Sequence, residues 1–592
     1  MHRLKQVTIS NFRSIISGDF PLTEYTALIG YNNAGKTNIL LGCNWLLTKT
    51  TLLETDFHDK NQPVEVEGVI SGITDEMLDL LEQGHRQSIR PYVHDDTLTI
   101  KRRQTTPGDS RSNKIYVKRP VPVAGQDDWT ENPAGIENAI KAIFPEPILI
   151  GAIEDIQEDV TKNKNTTTIG RLISEIITPI EQRYGGKAQQ AMDTLKKVLD
   201  ADGAKRAPEL QEFDRKTNQK LKVLFPGVSI RLHVPTPELR DFFKSGTIKV
   251  YEEGRNGGKD IDSFGSGAQR SVQMALIRQL AEEKRNANAS LTCTLLLIDE
   301  PELYLHPQAI EQVRVALKQL AREGYQVVFA THSAQMVKSS DANKALLIRK
   351  NSDNGTHRRL TLESAINAII DGGDHVSQME MLFALNHSHQ ILFSEKVLLT
   401  EGDTEQSVLP KIFEVITGGE TLGTSKCALV KQGGVDNTQK SMAILGAMDI
   451  PTKAIVDLDF AFRQAIQSGI LLDNDPDILF CKGVFQSMRA KGKVDLDGNG
   501  LPTKKGIWKT QEAYKRMAIS RGAKTCIKNL HEKLLAQNIW LWKKGVIEEH
   551  LGITGKTPAH WSMFVNRLDT HGYKTAIVDH KEVKRLIAWI MS

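Results

Sequence analysis

The sequence predicts two α/β units in series, each with a mainly helical insertion. Three observations carry that expectation. A glycine loop, Gly30-Tyr31-Asn32-Asn33-Ala34-Gly35-Lys36-Thr37, lies between the apolar runs 27–29 and 39–41. A fully apolar run, Leu295-Leu296-Leu297-Ile298, ends in Asp299-Glu300-Pro301. In the second half, short apolar runs at 396–400, 427–430, 454–456 and 539–542 alternate with helical pattern and repeatedly lead into acids. Strands that alternate with helices read as parallel sheets covered on both faces. At about 150 residues per domain, 592 residues suggest two to four globular units.

The first hundred residues are strand-rich. Positions 4–9, 64–70 and 98–103 alternate apolar and polar side chains, as half-buried strands do. The glycine loop after strand 27–29 has the strand–loop–helix context that makes GxxxxGKT a phosphate site. Backbone N–H groups of such a loop turn inward at a helix N-terminus. Gly30 and Gly35 would supply dihedrals that a Cβ forbids. Lys36 would reach the β- and γ-phosphates, and the Thr37 hydroxyl would ligate Mg²⁺.

From about 161 to 225 the pattern turns helical, with Ile169, Leu172, Ile173, Ile176 and Ile177, then Met192, Leu195, Val198 and Leu199, at helical spacing. An insertion over about 155–255 follows, either an arm or dimerisation element or a plain packing subdomain. Ser263-Phe264-Gly265-Ser266-Gly267-Ala268-Gln269-Arg270 opens the next helix, a setting that suits a phosphate but also ordinary capping. The run 295–298 reads as a central strand whose C-terminal end faces the ligand crevice. Asp299 there could hold Mg²⁺ and Glu300 could polarise an attacking water. A second apolar strand, 326–330, would bring His332 to the same crevice, near the γ-phosphate.

Together with Asn11-Phe12-Arg13-Ser14, these motifs resemble an ABC-type ATPase head of the RecF/SMC branch. The resemblance implies ATP and Mg²⁺ as ligands, with Asn32, Asn33, Gly35, Lys36, Thr37 and Asp299 on the nucleotide. It also implies a head-to-head homodimer, or a higher homo-oligomer, in which Ser266 and Gly267 of one copy complete the site of the other. The unit so read covers 1–390.

The second unit, 391–592, has a doubly wound, Rossmann-like pattern. Glu401 and Glu405 follow the first strand, Asp457 and Asp459 the third, and Glu548 the fourth. Carboxylates crowded at one sheet edge repel one another. A hard cation such as Mg²⁺ (or Mn²⁺) removes that penalty, and two of them suit in-line displacement at a phosphodiester. The order Glu-Gly-x-Thr-Glu, Asp-x-Asp, Lys-Gly-x-Ile-Glu resembles the Toprim domain. An ATPase head followed by Toprim resembles the OLD (overcoming lysogenization defect) family, which includes the Gabija-type defence nucleases. That resemblance implies a C-terminal lysine assisting cleavage, matched to Lys574 with Lys544 as competitor. The insertion at about 461–537 is rich in Lys and Arg with Trp508 and Tyr514 interleaved, either a DNA-contacting surface or a solvated helical face. Asp495-x-Asp497-Gly498-Asn499-Gly500 lacks the twelfth-position Glu of a calcium loop, and that reading is rejected.

The net charge of +4 permits a nucleic-acid partner without requiring one. Five dispersed cysteines read as reduced thiols of a cytoplasmic protein. Neither a signal peptide nor a membrane-length apolar run is found. The expected function is an ATP-regulated, divalent-metal-dependent DNA endonuclease or nickase acting on double-stranded DNA. A role in phage defence, with a defence-system partner protein or nucleic acid, is implied by the resemblance alone. The rivals are a DNA clamp or sensor that does not cut, and a topoisomerase using Tyr514. A transporter ATPase would not need the second set of acids.

Overall fold

A computed structural model of the chain describes residues 2–120, 127–151, 168–233, 249–252, 254, 257–265, 267–276, 279, 293–322, 324–369, 391–432 and 438–592. Two units divide it: one formed by 1–28, 32–336 and 350–357, the other by 29–31, 337–349 and 358–592. The expected segment 154–157, Ser266 and the glycines 433 and 434 lie outside the described residues. So does the polar bridge beyond its first helix, Leu362–Ile369. No helix among the described residues is long and apolar enough to cross a membrane, and the five cysteines are free thiols.

Strands β1 (Arg3–Phe12), β2 (Ile15–Pro21), β3 (Tyr25–Ile29), β4 (Val64–Ser71), β5 (Thr97–Gln104), β6 (Asn113–Lys118), β7 (Trp129–Glu131) and β8 (Ile148–Ile150) come first. They are followed by β9 (Lys249–Val250), β10 (Lys259–Asp260), β11 (Thr294–Asp299), β12 (Tyr325–Thr331), β13 (Leu346–Asn351) and β14 (Gly355–Arg358). A twelve-stranded sheet runs in the order β7-β6-β5-β4-β1-β2-β14-β13-β3-β12-β11-β8. Its first part is antiparallel and keeps the alternation read from sequence: β4 and β5 each show alternate burial along their length. The other end is different in kind. β11 pairs in parallel with β12 and β8, and every residue of β11 and β12 is buried. Continuous apolar runs become central strands because both faces are covered. The insertion is helical as expected, with helices Thr168–Leu199 and Pro208–Leu224.

In the second unit, β15 (Lys396–Thr400), β16 (Cys427–Lys431), β17 (Thr452–Val456) and β18 (Ile539–Leu541) form a four-stranded sheet in the order β16-β15-β17-β18. All three pairings are parallel. The helix Asp403–Thr417 starts where acids in its first turn meet the positive end of the helix dipole, and it stops at the left-handed Gly418. Its Val408, Leu409, Ile412 and Phe413 pack with Trp540, Trp542, Phe564 and Leu586 in one core. The segment 461–537 carries four helices, Gln464–Gln467, Pro476–Ala490, Thr510–Ile519 and Ala523–Leu535.

An acid-sensitive group packs edge-on against Trp540 of that core. His531 is fully buried. Its Nδ1 donates to the Leu541 carbonyl at 3.0 Å, and its Nε2 has no hydrogen-bond partner. Burial and the nearby Lys543 push its pKa down to about 4. The unfolded chain therefore binds a proton between about pH 6.5 and 4 that the folded chain does not. The His531 contribution to stability should fall by about 3 kcal/mol over that window as pH drops. Denaturant titration of His531→Phe, compared with the parent chain, should remove that slope.

Candidate functional site

The glycine loop lies where its sequence context requires. Gly35 has φ +95° and caps the helix Lys36–Leu47. A Cβ there would stand 2.1 Å from Thr356 Oγ1, so glycine is needed for space as well as for backbone conformation. Thr356 Oγ1 donates to the Ala34 carbonyl at 2.9 Å and shares a hydrogen bond of 2.8 Å with Ser14 Oγ. Asn38 Nδ2 donates to the same Ser14 Oγ. The Asn11–Ser14 turn, with Asn11 and Arg13 at positive φ, thus braces the loop from beneath. Asn32 and Asn33 form the outer turn.

Three expected residues converge on the loop. Thr37 Oγ1 donates to Asp299 Oδ2 at 2.7 Å, the juxtaposition that a shared Mg²⁺ needs. Lys36 Nζ donates to His332 Nε2 at 2.7 Å, and Glu300 Oε1 lies 3.4 Å from that same nitrogen. Burial and the Lys36 charge push the His332 pKa down, and Nε2 is the acceptor because the Lys36 ammonium facing it can only donate. Burial and neighbouring Asp299 push the Glu300 carboxyl up. Glu300 holds φ +49° at the end of β11, with its N–H donating to Ala330 O at 2.9 Å.

Two residues that motif reading gave no role hold this edge in place. Arg270, 1% exposed, donates to the carbonyls of Asp299 and Glu300 at 2.9 Å each. Glu302 Oε1 accepts from Thr331 Oγ1, His332 N and Ser333 N at 2.7, 2.8 and 3.1 Å. Both sit inside expected motifs, but most of their partners are backbone groups, which a sequence does not display. Gly267 opens its helix with no room for a Cβ, which would lie 2.8 Å from Tyr304 O.

In the second unit the acids follow adjacent strands. Glu401 follows β15, Asp457 and Asp459 follow β17, and Glu548 follows the turn after β18. Glu401 Oε2 accepts from the Asp457 N–H at 3.2 Å. Glu405 and Glu548 are 3% and 5% exposed, and Thr404 Oγ1 donates to Glu548 Oε1 at 2.6 Å. Burial, with Asp459 beside it, pushes Glu401 up to about 7. Burial, with Glu401 second, holds Asp457 well above the carboxylate range. Burial likewise raises Glu405 and Asp459.

To the two expected candidates the structure adds a third lysine, Lys556, at the acids. Lys544 is bound to Asp579 at 2.8 Å, and Lys574 lies exposed on the short helix Tyr573–Ala576. Lys556 is the lysine at the acids, with Nζ 3.5 Å from Glu548 Oε2. Burial opposes its charge, but Glu548, Asp457 and Glu405 together hold its ammonium above the usual range. No motif flags it, because it lies in a loop between helices.

Tyr514 is corrected. It is 3% exposed, ringed by Phe462 and Phe485 at 5.6 and 5.0 Å, and burial drives its pKa far up. A nucleophile for DNA must reach solvent, so the topoisomerase reading loses its residue.

Do these acids suit a cation? Glu548 Oε2 is buried with only the Lys556 ammonium, at 3.5 Å, beside it, an oxygen that a hard cation would satisfy. Among the described residues, no three Asp, Glu, His or Cys side chains are already gathered at ion-holding distance. The donor chemistry fits, and closing on an ion requires side-chain rotation.

Residues 392–459 match the family described as "Overcoming lysogenization defect protein-like, TOPRIM domain". Residues 125–337 match "AAA domain, putative AbiEii toxin, Type IV TA system". Over 604 aligned residues, 99% of this chain and 100% of the relative, the chain is 39% identical to the Old nuclease of Escherichia phage P2. The chain belongs to the OLD nuclease family. An OLD nuclease of Thermus scotoductus is 22% identical over 77% of this chain and 82% of its own length. The Pyrococcus furiosus Smc head domain covers 62% of this chain and 99% of its own at TM-score 0.37 and 17% identity, a likeness too distant to argue from. OLD family architecture, an ATPase with a Toprim domain, accounts for both sets of residues. The Toprim match ends at Asp459, and Glu548 and Lys556 lie beyond it.

Proposed function

We propose that this OLD family chain is an ATP-regulated, divalent-metal-dependent DNA endonuclease or nickase. The observation that carries the reading is the delivery of half-buried and buried carboxylates from adjacent strand ends to one edge, with Glu548 Oε2 facing the Lys556 ammonium at 3.5 Å. Glu401, Glu405, Asp457, Asp459 and Glu548 would hold Mg²⁺ or Mn²⁺, which when bound supplies charge for the scissile phosphate and a more acidic water. Lys556 is placed to offset charge that develops on the phosphate. Glu401, pinned by the Asp457 N–H, is the candidate general acid/base. In the ATPase unit, Lys36, Thr37, Asp299, Glu300 and His332 would bind and turn over ATP. A head-to-head homodimer with Gly267 and Ser266 acting across the interface, and a role in antiviral defence, extend the same reading.

Plasmid nicking assays test the lysine assignment. Lys556→Gln should slow cutting by on the order of 10²–10³, and Lys574→Gln should change it little. The reverse ranking would return the role to Lys574. A DNA clamp that never cuts is the second reading. It predicts retention of DNA and ATP turnover without scission under either metal.

A further inference from the structure

Beside the acids, a cleft of about 490 Å³ runs between the helical insertion and the turn after β18. Four lysines line it: Lys509 and Lys515 from the insertion, Lys544 and Lys556 from the other wall. The same cleft reaches Glu548. Its walls meet at Gly545, where an added Cβ would lie 3.8 Å from the Lys515 backbone.

Most charges here are already paired. Lys515 binds Glu549 and Lys544 binds Asp579, each at 2.8 Å. Glu512 is taken by Arg516 at 2.6 Å, and Lys556 leans on Glu548. Lys509 has no carboxylate partner among the described residues. It stands at the start of the ten-residue helix Thr510–Ile519 without capping it through its side chain. A cleft within the roughly 300–1,000 Å³ of small-ligand sites takes a nucleotide unit of one strand, not a duplex. One wall offers Glu548 and Lys556, the other an unspent positive charge. That polarity suits a phosphodiester chain entering from the insertion side.

We propose that this cleft seats the strand to be cut, with Lys509 on a phosphate flanking the scissile one and Lys515 exchanging Glu549 for the same phosphate. The inference rests on the nuclease reading and specifies which part of the basic insertion meets the substrate.

The test is the salt dependence of binding to a fluorescein-labelled DNA oligonucleotide, measured on the full chain in EDTA. Each phosphate contact contributes about 0.7–0.9 to the slope of log K against log salt. Lys509→Gln should lower the slope by about that amount, and Lys509→Glu should weaken binding further. Lys491→Gln, in the same insertion but outside the cleft, should keep the parent slope. An unchanged slope in Lys509→Gln, or an equal loss in Lys491→Gln, overturns the proposal. Because EDTA binding does not depend on cutting, a failed cleft and a failed nuclease reading give different results.

Discussion

Exchanging Glu401 for glutamine is expected to slow DNA cutting by on the order of 10²–10⁴ while stabilising the metal-free protein. The two effects share one cause. Glutamine keeps the shape and still accepts the Asp457 N–H through its amide oxygen. What it removes is a charge that burial and Asp459 disfavour, the source of a pKa raised from 4.5 to about 7. A carboxyl with a raised folded-state pKa binds its proton more tightly when folded. Its contribution to stability is therefore present at low pH and lost as pH rises from about 4.5 through 7. In the metal-free chain that loss is about 3 kcal/mol, as an order of magnitude. Misfolding would lower both activity and stability, so opposite signs mark a site built for a cation. The measurements are plasmid cutting with Mg²⁺ or Mn²⁺ and urea unfolding in EDTA above pH 7. Wild-type cutting in the variant would refute the role of Glu401.

Glu300→Gln should lower ATP turnover by on the order of 10²–10⁴ and leave nucleotide binding in place. Glu300 lies at the end of the all-buried β11, next to Asp299. Its carboxyl faces His332 Nε2, which already accepts from Lys36. It is a base candidate with a raised pKa, and because Nε2 accepts from Lys36 it has no N–H to spend on the carboxylate. Thr37, Asp299 and Lys36 are untouched by the change, so binding of labelled nucleotide should persist. Phosphate release reads the first quantity and equilibrium binding the second. Loss of both together would assign Glu300 to binding instead. Cutting by the nucleotide-trapped variant then shows whether ATP drives or restrains the nuclease.

Much of this was legible in the sequence because strand ends and glycine loops are local features. β11, β12 and β15–β18 appear as apolar runs, and the residue after each run reports what faces the sheet edge. Gly35, Lys36, Thr37, Asp299, Glu401 and Asp457 could be read that way. Arg270 and Glu302 could not, because they act on carbonyls and N–H groups supplied by other segments. Lys556 escaped for a related reason. It reaches the acids from a loop, and only the packing of the helices around Trp540 and Trp542 decides which loop arrives there. Tyr514 was misread because aromatic residues interleaved with lysines describe a DNA surface and an amphipathic core equally well. Its neighbours Phe462 and Phe485, distant in sequence, made it core.

The most direct test of the central claim is the shift in unfolding temperature that Mn²⁺ produces in nucleotide-free protein, compared between the parent chain and Asp457→Asn. A cation bound only by the folded state at a hundred times its dissociation constant adds about 2.7 kcal/mol. The parent should therefore melt at a clearly higher temperature with metal, and the variant should lose most of that gain while melting no lower without it. An equal metal shift in both, or none in the parent, would contradict a shared cation site at these strand ends.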